Sequence, residues 1–215
     1  MMYPMQSARP EPVATNDPKL WDKAGRILDI SGCLVFPTDT VYGIAAKADD
    51  PVAVARLQQA KGRTDAFPPP VLVADAEAAW ELVNPVPPIA KRLAEAFWPG
   101  PLTLVLNTDR RDLSLAGRNG SLGVRVPNLD WLRQFLRWSG PLAASSANRH
   151  NLPAATTVDD AIDQLGNSVG LYIDGGPTLG PAPSTVVDCT GEPTVRRVGR
   201  IPLQAILDIT GGTDA

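Results

Sequence analysis

Apolar residues recur along this chain with two periods, one helical and one extended. Leu20, Ala24, Ile27 and Leu28 form a stripe at helical spacing. That stripe predicts a helix opened by the cap and proline of Asp17-Pro18 and ended by Gly32. Asp50-Pro51 opens a second capped helix through Val54 and Leu57 to Ala60, and Asp75 caps a third through Trp80 and Val83. Ile89–Phe97 is amphipathic. Asn128–Trp138 carries Leu129, Leu132, Phe135 and Leu136 on one side, Thr157 caps Val158–Leu165, and Pro202 opens a last helix. Between them, short apolar runs predict strands at Cys33–Phe36, Gly43–Ala46, Val71–Val73, Leu102–Leu106, Leu142–Ala144, Val169–Ile173, Ser184–Asp188 and Thr194–Arg197. Leu122, Val124 and Val126 alternate with Gly123 and Arg125, so period two puts Arg125 on the face opposite the apolar one.

Strands and helices mingle without a strict alternation, which predicts a mixed, twisted, open α/β sheet with flanking helices. No linker-like stretch divides the chain and no repeat is visible. One domain over 17–210 is expected, after a lead-in over 1–16 whose three Pro, with one Ser and one Asn, suggest loose chain. Asn107–Gly120 reads as an exposed polar loop, and Asp174–Pro183 as a Gly/Pro-rich connection.

Composition narrows the function classes. The 215 residues carry a formal net charge of -3, so no global basic field exists to hold nucleic acid or an anionic membrane. The 20 Lys and Arg still leave room for a local basic cleft. No apolar run approaches the roughly 18 residues of a membrane span, and the first 17 residues have no secretory core. Two cysteines, Cys33 and Cys189, fall in predicted strands and are expected as packed thiols of a cytoplasmic protein. His150 is the only histidine, so neither a zinc site nor a Ser-His-Asp triad is expected.

The chemistry-bearing residues cluster at strand ends. Pro37 stops the first strand, because it cannot donate to a sheet ladder, and Thr38-Asp39-Thr40-Val41-Tyr42-Gly43 then sits where open α/β sheets bind ligands. On its own this stretch reads more readily as a Thr/Asp turn with a core tyrosine. Lys61-Gly62-Arg63 follows a helix, where cations and Gly also serve as a plain C-terminus, yet Gly62 would let both cations turn into one cleft. Neither GxxxxGK[ST] nor GxGxxG after a strand is present, so a nucleotide site must be built from side chains. Lys61 and Arg63 are the candidate phosphate partners. Ser146 and Asn148 stand at the end of another strand, Asn148 having a second reading as a turn residue. Trp98-Pro99-Gly100-Pro101 reads as a stiff structural turn that shapes a cavity wall.

Taken in order, Pro37–Gly43, Lys61-Gly62-Arg63, Phe97–Thr103, Gly123–Pro127, Ser145–Asn148 and Pro183–Asp188 resemble the YrdC-like family, and within it the threonylcarbamoyl-AMP synthases. The resemblance runs from Trp21 to Ile206. It implies a sheet around a large, positively lined cavity. It further implies synthesis of threonylcarbamoyl-AMP and pyrophosphate from L-threonine, bicarbonate or CO2, and ATP, with Mg²⁺ accompanying ATP and no dedicated protein metal site. Downstream transfer proteins would use the product on tRNA position 37, and this chain itself would bind tRNA weakly or not at all. By motif, Lys61, Arg63, Ser146 and Asn148 would face ATP phosphates, the first two as the catalytic cations, with Arg197 near the nucleotide. Thr40, Arg125 and Ser184 would surround threonine, and Tyr42 would line the cavity. The chain departs from the pattern at Thr64, Phe67, Leu72 and Arg149-His150-Asn151. A carbamoyl-transfer module of the hydrogenase-maturation type shares the implied fold, but such proteins are long and zinc-bearing. A non-catalytic RNA-binding module remains a third reading, one the net charge disfavours.

Overall fold

The computed structural model describes residues 8–62, 68–113, 117–118, 120–180 and 182–211. Arg63, Thr64 and Phe67 lie outside the described residues. The elements run β1 (Val13–Ala14), α1 (Leu20–Asp29), β2 (Leu34–Phe36), β3 (Gly43–Lys47), α2 (Pro51–Ala60), β4 (Val71–Leu72), α3 (Ala76–Trp80), α4 (Pro88–Phe97) and β5 (Leu102–Asn107). They continue with β6 (Gly117–Arg118), β7 (Ser121–Arg125), α5 (Asp130–Ser139), β8 (Leu142–Ser146), α6 (Val158–Leu165), β9 (Leu171–Asp174), β10 (Thr185–Asp188), β11 (Thr194–Arg197) and α7 (Leu203–Thr210).

All the strands join one mixed sheet, in the order β1-β9-β2-β3-β8-β4-β7-β5-β10-β11 with β6 paired to β7. Four neighbouring pairs are parallel, β1 with β9, β9 with β2, β4 with β7 and β5 with β10; the others are antiparallel. The mixed sheet is thus as the interrupted alternation predicts.

Side chains alternate across the strands and so sort into faces. Leu34, Phe36, Ala45, Leu72, Leu142, Ala144, Leu171 and Ile173 pack under α1 and α5. On the opposite face Val35, Ile44, Ala46 and Tyr172 pack under α2 and α6, and Val71, Leu104, Leu122, Val124 and Val187 under α3, α4 and α7. The cluster under α1 and α5 takes no residue from β5, β7, β10 or β11. Beyond β4 that face carries Gly123, Arg125 and Thr103 instead of a continuous apolar layer, and the candidate site lies there.

Capping follows the sequence closely. The Asp50 carboxylate accepts from the Val52 and Ala53 amides with Pro51 in the first turn, and Asp75 accepts from the Ala78 amide. Thr157 and Asp160 form a reciprocal capping box on α6. Several expectations need correction. α1 begins at Leu20, because Asp17 closes a turn instead: its carboxylate takes the Lys19 amide at 2.7 Å and Lys23 Nζ at 2.9 Å. The end of the lead-in is not loose, since Val13 and Ala14 pair with Ile173 and Asp174. α3 stops at Trp80, and Leu82 and Val83 continue into the core as non-helical chain. The Asn107–Gly120 segment is not all loop: a 3₁₀ turn at Arg111–Leu113 and β6 lie within it.

Candidate functional site

The Pro37–Gly43 stretch is the hinge of the site, and its two hydroxyls divide the work. Thr38 Oγ1 donates to Val41 O at 2.7 Å and accepts from the Thr40 and Val41 amides, which fixes the turn. Thr40 Oγ1 is thereby presented to Arg125, whose Nη1 donates to it at 3.2 Å. Arg125 lies on the face opposite its apolar neighbours, as the alternation predicts, and there it is buried. Its Nη2 donates to Asp39 Oδ1 at 2.7 Å and its Nε to Gly100 O at 3.1 Å. The Trp98–Pro101 turn therefore serves the site through one carbonyl. A guanidinium has five N–H donors, and these contacts use one on each nitrogen, which leaves one on Nη1 and one on Nη2.

Ser184 and Arg197 adjoin. Arg197 Nη2 donates to Ser184 O at 2.9 Å and to Ser184 Oγ at 3.3 Å, while Ser184 Oγ shares a hydrogen bond of 2.9 Å with Thr103 Oγ1. Gly199 makes this possible: a Cβ there would overlap Pro183 O and stand 2.6 Å from Ser184 O. Thr185 Oγ1 then accepts the Gly199 and Ile201 amides, locking the turn after β11 onto the start of β10. Burial lowers the pKa of both guanidiniums; Asp39 opposes that shift at Arg125, while the charge of Arg125 adds to it at Arg197. Arg197, expected near the nucleotide, thus shares its surroundings with Ser184 and Arg125.

Lys61, Ser146 and Asn148 do come together, but differently from the sequence expectation. Gly62, at φ +67, turns the chain as only glycine does readily. The Lys61 side chain is buried, and its ammonium donates to Ser146 O, to Asn148 O at 2.8 Å and to Asn148 Oδ1 at 3.3 Å. In return the His150 amide donates to Lys61 O at 2.9 Å. Asn148 Nδ2 donates to Arg149 O and to Leu152 O. Lys61 and Asn148 are therefore occupied in shaping the turn that carries Ser146, and an open face toward phosphate is not what the geometry gives them. The sequence departure at Arg149-His150-Asn151 has a physical reading here: Asn151 takes φ +65, a left-handed conformation that Asn tolerates better than most residues.

Tyr42 also needs correction. Its ring is wholly buried, and its hydroxyl donates to Gly176 O at 2.8 Å and accepts from the Gly175 amide at 3.3 Å. It anchors the start of the 174–183 connection and does not line an open cavity. Leu72 stands beside Arg125 in the β4–β7 register, so both point to one face. Sequence reasoning missed three residues of this cluster as site members: Asp39, Thr103 and Arg200, whose Nη1 donates to Asp39 O at 2.8 Å. For Asp39 and Thr103 the signal was available, a carboxylate and a hydroxyl inside motifs already singled out. Arg200 lies just past Arg197-Val198-Gly199 and had none. Among the described residues no three His, Cys, Asp or Glu side chains converge to hold a metal, and no helix is long and apolar enough to cross a membrane.

A mixed sheet thus gathers a buried arginine, threonines and a serine at the ends of its strands. The family model for Sua5, YciO and YrdC proteins, which bears the description telomere recombination, matches residues 26–199. This chain belongs to the Sua5/YciO/YrdC family. A Mycobacterium leprae protein, provisionally named a threonylcarbamoyl-AMP synthase, is 41% identical over 88% of this chain and 84% of its own length. The Bacillus subtilis threonylcarbamoyl-AMP synthase is 35% identical over 93% of this chain and 58% of its own length. The structure of Pyrococcus abyssi Sua5 complexed with L-threonine superposes with a TM-score of 0.81 at 33% identity, over 89% of this chain and 57% of that one. The chain thus spans little more than half the length of the last two relatives.

Proposed function

We propose that this chain is a threonylcarbamoyl-AMP synthase. It condenses L-threonine, bicarbonate or CO2, and ATP to threonylcarbamoyl-AMP and pyrophosphate, as a nucleotidyltransferase serving the threonylcarbamoyladenosine modification of tRNA position 37. The observation that carries this reading is the Arg125 junction. In this buried guanidinium each nitrogen donates once, to Gly100, Thr40 and Asp39, which leaves one N–H on Nη1 and one on Nη2 as donors for a planar anion such as a carboxylate.

In this reading Arg125 binds the threonine carboxylate, Thr40 and Ser184 address its polar groups, and Leu72 meets its methyl. The threonine amine adds to CO2, and the resulting carbamate oxygen attacks the α-phosphorus of ATP as pyrophosphate leaves. No covalent protein nucleophile takes part, so the rate comes from alignment and from neutralising charge. Ser146, Arg63 and Arg197 serve the nucleotide, while Lys61 and Asn148 hold the turn that presents Ser146. Mg²⁺ would be held by the triphosphate and water, in keeping with a site whose carboxylate, Asp39, is already paired with Arg125; it would neutralise phosphate charge. The product passes to separate transfer proteins, and direct tRNA binding is weak or absent, because a net charge of -3 supplies no broad set of phosphate contacts. The test is pyrophosphate release with threonine, bicarbonate and ATP, omitting each in turn. Release should need all three; release from ATP alone, or unaffected by threonine, would rule the assignment out.

A further inference from the structure

Three guanidinium groups meet at the open end of this face, and the third, Arg200, has no role in the account above. Arg200 Nη1 donates to the main-chain carbonyl of Asp39 at 2.8 Å, while Asp39 Oδ1 already receives Arg125 Nη2 at 2.7 Å. Arg125 interacts electrostatically with both Arg200 and Arg197. Asp39 is the one acid paired within this group among the described residues, so three cations stand against one carboxylate. Arg200 itself rests on a neutral carbonyl. Like charges held close where solvent is partly excluded repel one another, and an incoming anion relieves that repulsion. The remaining N–H donors of Arg200 keep the forked geometry that suits carboxylate or phosphate oxygens.

We propose that Arg200 is a third arm of the anion-binding cluster, acting with Arg125 and Arg197 on an oxyanion of the bound substrates. The proposal rests on the reading of this face as the threonine and ATP site. Its rival is a latch, in which Arg200 merely ties the Thr38–Thr40 turn to the 174–183 connection through Asp39 O and Leu179 O.

The full chain carrying Arg200→Gln or Arg200→Lys separates the two. Glutamine keeps an N–H donor for Asp39 O but loses the charge, whereas lysine keeps the charge and loses the fork. Pyrophosphate release is measured against threonine at fixed ATP and against ATP at fixed threonine, with added inorganic pyrophosphate as an inhibitor and thermal unfolding as a control. Arg200→Gln should raise KM for one of the substrates about tenfold or more at an unchanged melting temperature, and Arg200→Lys should recover part of the loss. A rise confined to threonine assigns Arg200 to the carboxylate. A rise for ATP with weaker pyrophosphate inhibition assigns it to phosphate. Parent KM values for both substrates in Arg200→Gln overturn the proposal, as does a fall in melting temperature that accounts for the whole loss. Arg125→Lys is run alongside: if it too leaves both substrates unaffected, the site reading has failed, whereas if it is impaired and Arg200→Gln is not, only the role of Arg200 has failed.

Discussion

Lys61 is the residue whose meaning changes most between chain and fold. A buried ammonium with its hydrogen bonds directed at Ser146 O, Asn148 O and Asn148 Oδ1 works as a clamp. Removing it leaves those acceptors buried and unsatisfied, and hydrogen bonds to charged groups are worth about 1.5–3 kcal/mol each. Lys61→Met should therefore lower both stability and kcat/KM, the latter at least tenfold, as read by urea unfolding and pyrophosphate release. A variant that keeps parent stability and loses only ATP affinity would return Lys61 to the role of phosphate ligand. Leu72 carries a subtler prediction. Serine brings the same hydroxyl as threonine, so the site discriminates by one methyl, worth about 1–3 kcal/mol or roughly 10- to 200-fold. Leu72, beside Arg125 on the same face, is placed to supply that contact. Leu72→Ala should bring the kcat/KM values for threonine and serine closer together; an unchanged ratio would remove Leu72 from the pocket.

At the scale of elements, the β10–β11 corner decides where two arginines stand. Gly199 packs against the Pro183 and Ser184 main chain, and Thr185 Oγ1 accepts the amides on either side of Arg200. A methyl group at 199 meets backbone, which cannot swing aside as a side chain would. Gly199→Ala should cost on the order of 1–3 kcal/mol and shift Arg197 and Arg200 together. Thermal unfolding and the KM for both substrates would record it, and parent values in both would show that the corner yields freely. This corner also marks the boundary of what the sequence made legible. Periodicity and caps placed nearly every helix and strand, because each signal there is local: Asp50-Pro51, the Thr157 cap, the alternation that put Arg125 on the face opposite its apolar neighbours. The side-chain partnerships were not legible, because they join residues far apart in the chain. Nothing near Tyr42 announces a hydroxyl seated on Gly176, and nothing near Arg200 announces Asp39. The same holds for β1, two residues long, whose strand character comes from β9 and not from its own composition.

The whole molecule buries its weakest acids, and this makes its stability sensitive to alkali. Burial pushes the Cys33 and Cys189 thiols up to about 11 from 9.0, and the Tyr42 hydroxyl up to about 12 from 10.0. Tyr172 moves the same way. Each group holds its proton more firmly folded than unfolded. The stabilisation is whole below the unfolded value and is lost as pH rises toward the folded one, so it should decline from about pH 9 upward. A shift of this size corresponds to roughly 2–3 kcal/mol per group as an upper bound. Urea midpoints between pH 8 and pH 10.5 should fall steadily, and Cys33→Ala/Cys189→Ala should flatten the decline. An equal slope in that variant would mean that the thiols do not govern it.

The claim on which the rest depends is that this open, arginine-rich face joins threonine, inorganic carbon and ATP in one product. The direct measurement is mass spectrometry of the nucleotide products formed from ATP, L-threonine and ¹³C-labelled bicarbonate by the intact chain, with Arg125→Ala as the paired control. The account predicts an adenylate bearing both threonine and one labelled carbon, formed with one pyrophosphate each and lost when Arg125 is removed. An adenylate that carries threonine without the labelled carbon would contradict it, and so would a labelled product formed equally well by Arg125→Ala.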